Sequence, residues 1–335
     1  KYVPTGIDHG TVTAVLNGTG YEITTLRRDV ETDGRRAVVA YTKDWAEDAA
    51  RRDFTMNALY ADLNGKIYDP LGQGLVDLEK RKVRFVGDAE TRIQEDYLRI
   101  LRFFRFHSAY GKAAPDKIGL AASTKFAPKI KTLSRERITQ EFTKILMGAN
   151  PKKILEIMQT HKILPDILGK SFDPDRIGSE LKIEKILGTI EKDILFCARL
   201  FIALGFSFKE NGKFSNYLIL NKKQVSILND LSKIKLDTKR LQKEKIMELL
   251  YLFPWNSVAV ALIIIAVKEN ISPAQFKKTW ETFINTKRPV FPISGKDLMA
   301  LGYSEGVEMG KKLKALEKKW MDSRFNLTRQ VLLES

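Results

Sequence analysis

The segment Glu95-Asp96-Tyr97-Leu98-Arg99-Ile100-Leu101-Arg102-Phe103-Phe104-Arg105-Phe106 decides how this chain is read. At about 100° per residue, Asp96, Arg99, Arg102 and Arg105 each step back by roughly 60° and form a slanted polar ribbon, while Leu98, Leu101 and Phe104 to Phe106 serve packing. The spacing predicts a stiff helix that holds a carboxylate and a guanidinium one turn apart. Such a pair can read a nucleobase edge. The carboxylate accepts from the exocyclic amino group of cytosine or adenine and the arginine donates to the neighbouring ring acceptor; guanine and uracil present the reverse pattern. On spacing alone, a helix-surface ladder of ion pairs, each worth roughly a few tenths of a kcal/mol, is the simpler reading. The surrounding sequence changes that balance.

Outward from this helix the two sides differ in texture. The N-terminal side carries short β-rich runs at Thr11–Leu16, Tyr21–Thr25, Ala37–Thr42 and Ala58–Leu63, with turn residues at Asn17-Gly18 and Asn64-Gly65 and a helix expected near Trp45–Arg52. Between the second and third runs, Arg27 to Arg36 is dense in charge and contains Gly34, which predicts a mobile loop. On the C-terminal side apolar residues recur at three- and four-residue spacing, as in Ile138, Phe142, Ile145 and Leu146, then Ile154, Ile157 and Met158. That side reads as nearly all α. Candidate breaks lie at Asn150-Pro151, Ser171–Gly178, Asn211-Gly212 and Pro289–Gly295.

The composition bounds the function. Lysine plus arginine total 57 against 41 aspartate plus glutamate in 335 residues, a net charge of +16 that favours a polyanionic partner. The longest apolar run, Val258 to Val267, is too short for a membrane span, which needs roughly 18 to 20 residues, and predicts a buried core helix. The single cysteine, Cys197, sits in an apolar run and predicts an inert buried thiol in a reducing, cytoplasmic setting. His9, His107 and His161 lack partners at zinc-ligand spacing, and no P-loop, dinucleotide fingerprint or hydrolase elbow appears.

Four motifs in order then carry a resemblance: Arg51-Arg52-Asp53-Phe54-Thr55-Met56-Asn57-Ala58-Leu59; Asp69-Pro70-Leu71-Gly72 with Val76-Asp77-Leu78; the Glu95–Phe106 helix; and Ser134-Arg135-Glu136-Arg137-Ile138 with Glu141. Together they resemble the class II tRNA nucleotidyltransferase and bacterial poly(A) polymerase family, closely to about Asn150 and more loosely beyond, where Gly295-Lys296-Asp297-Leu298 is similar to the family's C-terminal region. The resemblance implies an α+β chain: a partial nucleotidyltransferase, polymerase-β-like head sheet at 1–85, then an all-α neck at 86–150, body at 151–270 and tail at 271–335. It implies template-independent addition of CMP and AMP to tRNA 3′ ends from CTP and ATP. In that reading Arg52, Asp53 and Asn57, with Arg51 beside them, contact triphosphate and ribose. Asp96 and Arg99 read the base, and Arg102 and Arg105 support them. Asp69 and Gly72 form the joint between head and neck, and Glu136 and Arg137 brace the templating helix. The Arg28–Arg36 segment corresponds to the family's flexible loop associated with adding the terminal A.

The family's metal-binding DxD motif has no counterpart in this sequence. Its Mg²⁺ site is therefore expected on a segment preceding Lys1, in the same gene product or, in a split gene, supplied in trans, and the chain alone is expected to be inactive. Glu22, on a β-rich run, is the remaining candidate for a carboxylate facing the metal, with an ordinary strand glutamate as the equal alternative. His9-Gly10-Thr11-Val12-Thr13 looks more like the CCA-adding branch than the poly(A) branch. An A-adding enzyme, a poly(A) polymerase and a non-catalytic RNA-binding remnant remain the alternatives. Lysines at Lys233, Lys235, Lys239, Lys243 and Lys245 and from Lys311 to Lys319 are candidates for contacts with the acceptor and T arms of tRNA.

Overall fold

In this computed structural model the described residues are 2–6, 10–33, 36–112, 114–168, 174–205 and 218–335. His9, Gly34, Arg35 and the break at Asn211-Gly212 lie outside them, as do residues 171–173 of the Ser171–Gly178 break. The described residues gather into two compact units, one of residues up to 168 with 218–219, the other of 174–205 and 220–335.

The first unit opens with a three-stranded antiparallel meander, β1 (Tyr2–Gly6), β2 (Thr11–Leu16) and β3 (Thr19–Thr24). Leu16 pairs with Thr19, so the β2–β3 connection is two residues, and Asn17 and Gly18 hold φ of 49° and 78°. That is the left-handed pair a type I′ hairpin requires, and Asn-Gly is the dipeptide that tolerates it best. The charged segment expected to be a mobile loop is instead largely strand: β4 (Arg27–Asp33) pairs antiparallel with β5 (Arg36–Tyr41). Strand pairing is made by backbone groups, and a two-stranded ribbon needs no apolar face in every residue. Helix α1 (Trp45–Ala50) starts where Asp44 accepts from the Ala46 amide. The expected strand Ala58–Leu63 shrinks to β6 (Tyr60–Ala61), paired with β7 (Ile67–Tyr68), because Ala58 ends a 3₁₀ turn over Thr55–Asn57 and Asp62 begins the next turn by accepting from the Asn64 and Lys66 amides.

Helices follow: α2 (Gly74–Glu79), α3 (Ala89–Glu95), α4 (Leu98–Tyr110), α5 (Lys117–Phe126), α6 (Arg135–Leu146), α7 (Pro151–Thr160) and α8 (Ile163–Leu168). The segment predicted as one helix is broken at Asp96, whose φ of −157° and ψ of 106° are extended. Its side chain accepts from the Leu98 amide and so serves the start of α4, the local hydrogen bond by which aspartate competes with helix continuation. The core behind this break is aromatic: Phe54 meets Phe85 at 4.8 Å between centroids, and Phe85 stacks on Phe103 at 5.6 Å. Phe142, Ile145 and Leu146 of α6 are fully buried, as the spacing predicts, and α6 packs on α4. Helix α7 packs on α4 as well.

The second unit comprises α9 (Pro174–Glu184), α10 (Lys192–Ala203), α11 (Lys222–Leu231), α12 (Lys243–Leu252), α13 (Trp255–Lys268), α14 (Pro273–Asn285), α15 (Gly295–Ala300), α16 (Val307–Asp322) and α17 (Arg329–Leu333). Helix α13 is buried from Ser257 to Val267 and is contacted by α9, α10, α11 and α12, so an apolar surface on all sides finds partners on all sides. No helix among the described residues is long and apolar enough to cross a membrane. Cys197 is buried in α10, and burial together with the Asp193 charge pushes its thiol up to about 12, so it stays protonated.

Candidate functional site

Asp48, the last acidic residue of α1, anchors one wall of the site although it is fully buried. Its Oδ1 accepts from Arg51 Nε and Nη2 at 2.9 and 2.6 Å and from the Arg27 amide at 3.1 Å. Its Oδ2 accepts from Arg52 Nη2 at 2.8 Å and from the Tyr60 hydroxyl at 2.7 Å. Burial works against the charged carboxyl, but the Tyr60 hydroxyl, the two guanidiniums and the Arg27 amide outweigh it and hold Asp48 well below the usual carboxylate range. Burial and the hydrogen bond to Asp48 push the Tyr60 phenol up to about 12.

Nearby, Asp53 is 8% exposed and ties its own turn to α4. Its Oδ1 accepts from the Phe54 amide and from Asn57 Nδ2, each at 2.9 Å, and its Oδ2 accepts from Arg102 Nε at 2.7 Å. Asp53 is thus a cross-link to α4. Across the site, Asp96 Oδ2 accepts from Arg137 Nη2 of α6 at 2.7 Å. Arg99 Nη1 donates to the Arg92 carbonyl at 2.9 Å and to Glu95, which also binds Arg92.

These groups converge on one cleft of about 550 Å³, lined by Arg51, Arg52, Asp53, Asn57, Asp96, Leu98, Arg99, Arg102, Phe106 and Arg137. Every residue expected to contact nucleotide lines it except Arg105. That residue turns away, donating to the buried Glu141 of α6 at 3.1 Å and lying 4.3 Å from the Phe106 ring centre. The support roles are therefore exchanged relative to expectation: Arg102 holds Asp53, and Asp96 is held by Arg137. Arg137 does brace the helix junction, whereas Glu136 is exposed in the first turn of α6. Asp69 accepts from the Leu75 amide at 3.0 Å and, with Gly72 at φ 66°, shapes the turn into α2, away from the cleft lining. Sequence reasoning passed over Asp48, Glu95 and Arg92; an acidic residue just before paired arginines is the signal that could have found the first.

Five arginines against two aspartates make the lining strongly cationic, and arginine's planar donor fork suits phosphate oxygens. The lining does not suit a divalent cation. Both aspartates are already engaged by arginines, and among the described residues no three His, Cys, Asp or Glu side chains cluster as ligands. Glu22 is exposed on β3, opposite Thr13, and does not line the cleft.

Residues 1–84 match the family described as "Poly A polymerase head domain", and 117–175 match "Probable RNA and SrmB- binding site of polymerase A". The chain is 33% identical over 351 residues to CCA tRNA nucleotidyltransferase 1, mitochondrial, of Danio rerio, covering 98% of this chain and 76% of that protein. It is 41% identical over 200 residues to the CCA-adding enzyme of Streptococcus gordonii, covering 59% of this chain and 48% of that one. Among solved structures, the Bacillus stearothermophilus CCA-adding enzyme in complex with CTP is similar with a TM-score of 0.74 at 26% identity, over 96% of this chain and 80% of that one. Nothing in these similarities supports a head segment supplied by a second chain. By the motifs and by similarity at 33% identity over 98% of this chain and 76% of that relative, the chain belongs to the CCA-adding class II nucleotidyltransferase family.

Proposed function

We propose that this protein adds CMP and AMP to the 3′ end of tRNA from CTP and ATP, and that the cleft itself supplies the template. The observation that carries this reading is the convergence of Asp96 and Arg99 with Arg51, Arg52, Asp53 and Asn57 on one cavity, although the two groups lie some forty residues apart in sequence. The arginine pair on Asp48 faces the triphosphate. Asp53 and Asn57, locked to each other, meet the ribose. Asp96, its carboxylate oriented by Arg137, accepts from the amino group of cytosine or adenine, and Arg99 donates to the adjacent ring nitrogen. A base of the opposite pattern leaves these groups unpaired while covering them from water, and an unmade hydrogen bond so covered costs about 1–3 kcal/mol. The 3′-hydroxyl of tRNA attacks the α-phosphate in line and pyrophosphate leaves; this chain's residues contribute by position and charge.

The same proposal includes the division into head (1–85), neck (86–150), body (151–270) and tail (271–335), Mg²⁺ held by carboxylates other than those lining the cleft, and a cytoplasmic setting, which the inert Cys197 thiol supports. The test is to incubate the protein with Mg²⁺, a tRNA transcript lacking its terminal CCA, and CTP and ATP separately and together, resolving each added nucleotide. Growth by C, C and A that stops is the result this reading requires, and it would overturn the expectation from sequence that these residues alone are inactive. Unlimited A addition would favour a poly(A) polymerase, addition of A only to ends already carrying CC would favour an A-adding enzyme, and tRNA binding without growth would favour a non-catalytic remnant.

A further inference from the structure

We propose that Asp48 is a positioning residue for nucleotide binding: it holds Arg51 and Arg52 as one preformed phosphate clamp. The inference rests on the cleft reading above and goes beyond it, because Asp48 itself does not line the cavity. Both oxygens are fully used. Oδ1 takes Arg51 and the Arg27 amide, Oδ2 takes Arg52 and the Tyr60 hydroxyl, and the side chain is fully buried. Arg51 Nε also donates to the Arg27 carbonyl at 2.9 Å, so the clamp is stitched to the start of β4 as well as to α1.

Two adjacent arginines repel each other and carry several rotatable bonds. One carboxylate beneath both offsets the repulsion and removes most of the rotamer freedom that phosphate binding would otherwise have to freeze. Each guanidinium has five donors and spends only Nε and Nη2 on Asp48, so the clamp keeps donors for phosphate.

The test compares binding of CTP, CMP and UTP to the wild-type protein and to D48N by equilibrium titration, with circular dichroism and thermal melting to show that the variant is folded. Asparagine keeps the volume but loses the charge and one acceptor. D48N should weaken CTP on the order of tenfold, a loss typical of misplaced binding groups. It should weaken CMP far less, shrinking the CTP-to-CMP ratio, while the preference for CTP over UTP stays. A folded D48N with an unchanged CTP-to-CMP ratio overturns the inference and leaves the base-reading proposal standing. A wild-type protein without preference for CTP over UTP defeats that proposal, whereas the CTP-to-CMP ratio still decides the clamp. Should D48N fail to fold, the wild-type protein decides. The Nε–H signals of Arg51 and Arg52 should be resolved and slow to exchange before any nucleotide is added, and averaged, rapidly exchanging signals would overturn the clamp.

Discussion

Asp96 lines the cleft with Oδ1 on the Leu98 amide and Oδ2 on Arg137, so its carboxylate is aimed before any base arrives. Replacing it by asparagine turns one acceptor into a donor. D96N should cut the preference for CTP and ATP over UTP and GTP by about 1–3 kcal/mol, roughly five- to a hundred-and-fiftyfold, while leaving total triphosphate affinity closer to wild type; competition binding with the four nucleotides measures it. Arg102→Ala acts differently, stranding the nearly buried Asp53 with only Asn57 and the Phe54 amide. Because Arg102 is about one-third exposed, the expected loss is modest, about 1–2 kcal/mol in urea unfolding, and lysine should restore little of it because it cannot donate through both Nε and Nη2. At this scale the sequence made legible that Asp53, Asn57, Asp96 and Arg99 belong to one site, and all four line one cleft. It was not legible for the partner of each. Arg102 lies 49 residues from Asp53 and Arg137 lies 41 from Asp96, and no spacing rule connects residues brought together only by packing.

The junction between α3 and α4 is the element on which the proposed base reading depends, and the periodicity of Glu95–Phe106 ran through it without a mark. Apolar residues keep the helical phase on both sides: Ile93, Ile100, Leu101 and Phe104 are all fully buried. Only the Asp96 side chain, competing for the Leu98 amide, breaks the backbone pattern. Similarly, β4 escaped because its residues are charged, while the backbone that pairs with β5 is the same for any sequence. The far end of α4 offers a sharper test. A Cβ on Gly111 would fall 2.3 Å from His107 Nδ1 and 2.6 Å from the His107 carbonyl oxygen, and that oxygen cannot move without opening the helix cap. Gly111→Ala should therefore destabilise the protein by about 1–3 kcal/mol, read as a lowered Tm, even though its backbone conformation suits alanine.

Across the whole molecule, charge and buried acids set how conditions act. In the second unit, burial pushes the Glu180 carboxyl from an ordinary 4.5 up to about 8, with Arg199 opposing the shift and Glu184 adding to it. The unfolded carboxyl gives up its proton near 4.5 while the folded one keeps it, so this contribution to stability is full below about 4.5 and is lost as the pH rises through about 8. Denaturant unfolding of the wild type should weaken across that window, and E180Q should flatten the dependence. The overall excess of 57 basic over 41 acidic residues agrees with a nucleic-acid partner, and the lone apolar run proved to be the central helix α13, as its length required. The central claim is that protein groups, with no nucleic-acid template, choose the incoming base. It is tested most directly by titrating the protein with CTP, ATP, GTP and UTP in the absence of any RNA. The account predicts that CTP and ATP bind at least about tenfold more tightly than GTP and UTP; equal affinity for all four would contradict it.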